Sequence, residues 1–454
     1  MRRTLHESLA TLVVALFLAM AWPSASSAQA SEDVSHDIGS GSVTCDDSSC
    51  VYHIYGSTSS DHHVTVCGGS AENPIVVVLD SLDISQGSTD VDRAPVTVES
   101  GFAIIKLQGT STLVGGYEHH FLHTGVEDGM AGLAVCKDAT CTITSLDGDG
   151  SPNGSLEARG GANEKYGGAG IGSNYDEDTG TIVIAGGTIS AHGAHGAAGI
   201  GAGRDGVCDE VRITGGRITA QGGDYGAGIG GGDMVGGGNG GTTHRIVVEG
   251  GEIVAHGGSN GAGIGGSEGG DCDSISISGG MLDVTGGYLA AGIGSGQNGG
   301  IGSIDISGGS IEARSQESGA GIGGTESGDV GSISISGGTI VALSGMYGAG
   351  IGGGKDASVD SISISGGDVH ATGGWYGAGI GGGDKIGLLE GTGGYVGRIT
   401  ITGGTVEAVG GEKGGAGIGG SEGGNVGELV ISGGTVTGTG RDDGAGIGGG
   451  DNGG

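Results

Sequence analysis

The side chains best placed to do chemistry in this 454-residue chain are carboxylates that recur four positions after a repeated isoleucine. They are Asp233, Glu268, Glu326, Asp384, Glu422 and Asp451, with Gln297 and Lys355 interrupting the series. Acids stacked in a column repel one another, and a hard cation such as Ca²⁺ would bridge neighbours. Asp233 with Glu268 and Glu422 with Asp451 are the pairs such an ion would join. The calcium-binding nonapeptide G-G-x-G-x-D-x-U-x is not met, however. The favoured reading is a solvated acidic edge with no cofactor.

Histidines give a weaker signal. His119 and His123 stand four apart, beside Glu118 and His120. That spacing converges on a metal only on a helix, and the surroundings read as loop or strand. His62 and His63 are adjacent, and His192 and His256 fall two repeats apart. None of these predicts a metal centre.

Aromatic side chains suggest a different chemistry. Tyr225, Tyr347, Trp375 and Tyr376 occupy near-equivalent turn positions and could stack on sugar rings, although Asn260, Leu289 and Ser318 break the row. A polysaccharide lyase, hydrolase or epimerase is the main enzymatic alternative. No convergent set of acid, arginine and aromatic residues falls on one face, so catalytic residues are not assigned. Ice binding is a third reading. The outward column Val183, Arg212, Val247, Ser276, Asp305, Ser334, Ser363, Thr400, Val430 varies too much in size and charge for a regular array.

The elements that position these groups follow from a repeat. Ala-Gly-Ile-Gly occurs ten times, with its isoleucines at 171, 200, 229, 264, 293, 322, 351, 380, 418 and 447. Seven of the nine intervals are 29 residues, the others 35 and 38. A fixed period of this length marks stacked repeats. Within each copy a pattern such as Ser274-Ile-Ser-Ile-Ser278 leads to Gly279-Gly280 and then Met281-Leu-Asp-Val284. Alternation with period two makes short strands with one apolar face. Three isoleucine-rich columns, through Ile333, Ile335 and Ile340, join the motif isoleucine to form a predicted core. The fold class is therefore all-β: a single-stranded parallel β-helix solenoid of about 29 residues per coil, expected to be right-handed. The two longer intervals place insertions at Asp233–Gly241 and Asp384–Gly394, protruding from one edge.

Composition narrows the class further. The chain has 118 Gly but 4 Pro and no Gly-x-y period, which excludes collagen. Aromatic residues make up 3%, so burial must come from many small branched side chains. The formal net charge of −35 argues against nucleic acid and anionic membranes as partners. Residues 1–30 read as a signal peptide: Arg2 and Arg3, an apolar stretch, then Ala28-Gln29-Ala30. No later segment is apolar enough to span a bilayer. The expected product is secreted or held at the cell surface.

Export permits disulfides. Cys45/Cys50 and Cys136/Cys141 share the spacing C-x4-C, and a local hairpin disulfide is plausible for each. Cys208 and Cys272 instead share a ladder position with Val330, Val359, Val396 and Val426, so they are expected to be buried thiols two coils apart, beyond bridging distance. Residues 31–165 lack the period but keep strand patterning, and are expected to be irregular first coils that cap the regular repeats of 166–454. Gly454 falls inside a turn, so an open edge there could pair with another copy.

The pattern as a whole resembles exported bacterial β-helix repeat proteins with runs of the type ITISGGTVTATGG…GAGIGGG. The text that carries the resemblance includes Ile399-Thr-Ile-Thr-Gly-Gly-Thr-Val406 and Gly415-Ala-Gly-Ile-Gly-Gly420, with a similar lead-in at Ile75–Ile84 and Ile105–Leu113. The resemblance implies an adhesin-like surface protein, contacting an extracellular glycan or a surface protein. It assigns no catalytic residue.

Overall fold

The computed structural model describes residues 32–86, 93–119, 127–148, 150, 153–161, 166–234, 241–384 and 394–451. The expected signal peptide, His120, His123 and most of both insertions lie outside the described residues. Among the described residues the chain is built of strands and turns with a single short 3-10 turn at Ile38–Ser40. No helix among them is long and apolar enough to cross a membrane.

Each regular coil has three strands. One coil runs Val330–Ile335, Thr339–Leu343 and Ile351–Gly352. The first side follows from Val-Gly-Ser-Ile-Ser-Ile, in which Val330, Ile333 and Ile335 point inward and are buried. The chain then turns at Gly337-Gly338. Gly338 has φ +93, and the equivalent glycine of the other regular coils lies between +85 and +93. A Cβ is disfavoured there, which is why the corner is glycine. The third side is only Ile-Gly, because a Cβ on Gly352 would lie 2.0 Å from the carbonyl oxygen of Gly381 in the next coil.

Coils stack in parallel register. Ile333 pairs with Ile304 on one side and Ile362 on the other, Ile340 with Ile311 and Val369, and Ile351 with Ile322 and Ile380. Like residues therefore form continuous buried columns, and one hydrophobic cluster extends from Ile38 to Ile418. Stacking strands about 4.7–4.9 Å apart satisfies backbone groups that a lone short strand would leave open. The all-β parallel β-helix solenoid read from the repeat is the fold observed.

The stretch before the regular repeats joins the same stack. Val34 pairs with Tyr52, Tyr52 with Val77, Ile75 with Ala103, Ala103 with Cys141, and Cys141 with Ile182. These coils differ in length and are filled by bulkier residues such as Leu79, Leu82, Leu107 and Tyr52.

In this structure Cys45, Cys50, Cys136 and Cys141, the residues expected in hairpin disulfides, stand as thiols. Cys45 and Cys141 point into the core, whereas Cys50, which starts the strand Cys50–Thr58, and Cys136, which follows the strand Leu133–Val135, are half-buried. Burial pushes the Cys45 and Cys141 thiols up to about 12, and Cys136 to about 11. Cys208 and Cys272 are buried thiols separated in register by Thr243.

Candidate functional site

One coil edge gathers the candidate groups. It lies where the second strand ends and the Ala-Gly-Ile-Gly side begins. Five residues before the motif isoleucine stand Tyr288, Met346 and Trp375, which are 53%, 37% and 52% exposed. Four residues before it stand Tyr225, Tyr347 and Tyr376. These turn residues cannot point inward, because the coil interior is already filled by the motif isoleucine and the alanine two residues before it.

The structure divides the four predicted aromatics. Tyr347 and Tyr376 sit one coil apart and stack, with ring centroids 5.6 Å apart and planes 10° from parallel. Trp375 adjoins Tyr376 but projects into solvent. Tyr225 is four coils away, on the order of 19 Å, and packs edge-on against His195 at 5.2 Å. Tyr347, Trp375 and Tyr376 form one surface, and Tyr225 belongs to another.

The acidic column lies directly beside the aromatic one, a neighbourhood invisible in the sequence. Backbone hydrogen bonds tie them. The amide of Asp384 donates to the carbonyl of Tyr347 at 2.6 Å, that of Glu422 to Tyr376 at 3.3 Å, and that of Glu268 to Tyr225 at 3.1 Å. Each acid therefore rides one coil after its aromatic neighbour.

Most of these acids already have partners. Arg204 occupies the column one coil before Asp233 and pairs with it at 3.1 Å, both side chains nearly buried. Lys355 pairs with Glu326 at 3.0 Å. Asn260 Nδ2 donates to Glu268 at 2.5 Å. Burial pushes Asp233 up to about 6 against the pull of Arg204, with Glu268 and Asp205 adding to the rise. The predicted calcium pair Asp233/Glu268 is thus held by Arg204 and Asn260. Glu422 and Asp451 lie in consecutive coils, with the Gly423 amide donating to the Asp451 carbonyl at 3.0 Å. Among the described residues no group of three or more His, Cys, Asp or Glu side chains is arranged to hold a metal. The sequence reading counted acids and overlooked Arg204, which falls at the same offset from Ile200.

A groove opens beside Trp375. Its floor is backbone at Gly345, Gly374 and Gly411, and its rim carries Ser344, Thr372, Glu412 and Arg441. Arg441 Nη1 donates to Glu412 Oε1 at 3.2 Å. Sequence reading missed this pair, because neither residue recurs at its position in other coils.

The outward strand face confirms its irregularity. Arg212 pairs there with Glu210 at 2.8 Å and Glu249 at 2.7 Å, so the described residues form no uniform hydroxyl ladder on this face.

Comparison with known proteins follows the same geometry. Residues 182–204, 211–233, 275–297, 304–328, 333–355, 362–384, 399–424 and 429–451 match the family model described as a beta helix repeat. Each match begins at an isoleucine, valine or leucine of the first inward column and runs through the aromatic edge to the turn that holds the acids. No curated protein and no solved structure matches the chain. In strand register the chain is a parallel β-helix, and eight of its coils are similar to that repeat family.

Proposed function

We propose that the protein is an exported, non-enzymatic β-helix of a cell surface or extracellular matrix, with an adhesive role exercised through glycan contact. The observation that carries this reading is the edge surface of Tyr347, Trp375 and Tyr376 on a rigid stack. Large rings with a polar tip, held out of the core, are suited to contact a ligand with both apolar and hydroxyl faces. The leader at residues 1–30 supports export, and the net charge of −35 suits a well-solvated extracellular protein. Extracellular glycans or surface proteins are the partners in this reading.

The rival reading is a carbohydrate-active enzyme on the same scaffold. The one strongly shifted carboxylate among the described residues, Asp233, is paired with Arg204 and nearly buried, which suits structure better than proton transfer. A glycan array combined with a depolymerisation assay on the bound glycans separates the two. Binding without turnover is the expected result. Release of shortened or unsaturated products would overturn the non-enzymatic role, and absence of all binding would overturn the glycan role.

A further inference from the structure

We propose that the groove beside Trp375 is a subsite for one pyranose ring of a neutral glycan. The inference rests on the glycan-contacting reading above and names its site and ligand class.

Three features of the groove converge on this ligand. The first is its wall. Trp375 is 52% exposed in a chain with few aromatics, and its indole offers a flat apolar face. A pyranose presents a matching face of C–H groups, and stacking such a face on indole removes apolar area from water.

The second feature is the floor. Gly345, Gly374 and Gly411 lie in the turn leading to three successive motif isoleucines. A Cβ on each would meet a backbone oxygen of the preceding coil: Gln316 at 1.9 Å, Gly345 at 2.5 Å and Gly374 at 1.7 Å. The coils approach so closely here that the floor stays free of side chains. Backbone bonds fix it, with the Gly374 amide donating to Gly348 and the Gly411 amide to Gly377, each at 3.0 Å. A preformed floor loses little freedom when a ring settles on it.

The third feature is the rim. Thr372 brings a hydroxyl, Glu412 brings acceptors, and Arg441 brings several donors, while the Ser344 hydroxyl already donates to the Gly319 carbonyl at 2.9 Å. Adjacent sugar hydroxyls both donate and accept, and a paired carboxylate and guanidinium answer both needs. The charge of Arg441 is already met by Glu412. A carboxylated or sulfated sugar would have to displace Glu412 and approach a chain of net charge −35. These facts select a neutral ring over an acidic one.

Trp22 and Trp375 are the only tryptophans. The full chain carrying Trp22→Phe therefore reports from the groove by fluorescence. The probes are dextran, β-1,3-glucan and mannan as neutral polymers, and alginate as the acidic one. At least one neutral polymer is expected to shift Trp375 emission to the blue, shield it from acrylamide and retard the protein in an affinity gel. Alginate is expected to do none of these. Trp375→Ala, with unchanged circular dichroism, is expected to weaken retardation at least tenfold, and Arg441→Gln to weaken it less. Retardation by a neutral polymer that survives Trp375→Ala would overturn the subsite while leaving the glycan reading intact. A Trp375-dependent response to alginate alone would overturn the neutral class. A silent result with all four polymers overturns the subsite, and the glycan array shows whether the wider reading falls with it.

Discussion

The irregular coils before residue 162 and the regular coils after residue 165 build one stack by two different means. The first set varies in length and fills its interior with Leu, Tyr and Ile of differing size. The second repeats one isoleucine pattern and turns on paired glycines. Uniform interiors leave the turn edge as the main place where one regular coil can differ from the next. That is where Arg204, Trp375, Glu412 and Arg441 stand. In the first coils the variation is spent inside, on packing, and five of the seven cysteines fall there.

The sharpest way to break this comparison is to remove one interior isoleucine. Ile333 is 1% exposed within an unbroken column, so Ile333→Ala should lower unfolding stability by about 2–5 kcal/mol. Val34→Ala in the first coils, at a residue 37% exposed, should cost well under half of that. Denaturant unfolding of both variants measures the contrast, and equal losses would contradict it.

The glycine corners come next. Gly338→Ala forces a Cβ into φ +93 and should cost about 1–3 kcal/mol. Gly300→Ala, where φ is not positive and the nearest atom to a Cβ is Asp271 Oδ1 at 3.3 Å, should cost less. Thermal unfolding distinguishes a corner that needs glycine from a site that tolerates a methyl group.

A third prediction concerns pH. Burial raises Asp233 to about 6 in the folded chain from an unfolded value near 3.8. The folded state then binds more protons between those values, so stability conferred at this site rises as pH falls from about 6 to about 4. Relative to Asp233→Asn, the wild type should gain on the order of 2 kcal/mol over that window. Urea titrations at pH 4 and pH 7 test the sign. A relative loss on acidification would mean that the Arg204 pair outweighs burial.

The smallest effect is chemical. In native protein, Cys50 and Cys67 should react with a thiol reagent well before the buried Cys141, Cys208 and Cys272. Equal rates would contradict the inward placement of the latter three. A disulfide mapped at Cys45–Cys50 or Cys136–Cys141 would show that the rim strands rearrange.

The fold was legible because its physics is periodic. Ile304, Ile333 and Ile362 advertise their column by spacing alone, and the Gly-Gly pairs announce the corners. The left-handed turn after the motif was less visible. Asp176, Asp205, Asn298, Ser327 and Asp356 share it with φ of +55 to +62, and the residue type varies, with Asp and Asn the side chains that best tolerate that conformation. The site was legible only in part. Tyr347, Trp375 and Tyr376 were found from their shared offset, but their contact with the acidic column depends on one coil folding over the next. Arg441 and Glu412 occur once each, and no repeat pattern can flag a residue that does not repeat.

Stacked register is the claim on which all of this depends, and a pair of engineered cysteines tests it most directly. Ser332 and Ser361 are opposite each other in adjacent coils, whereas Ser363 lies two residues further along. Parallel strands about 4.7–4.9 Å apart put the first pair within disulfide reach and the offset pair beyond about 7 Å. Mass mapping after mild oxidation should find the Ser332→Cys/Ser361→Cys bridge and not the Ser332→Cys/Ser363→Cys bridge. Equal cross-linking of both, or a bridge only in the offset pair, would contradict the register.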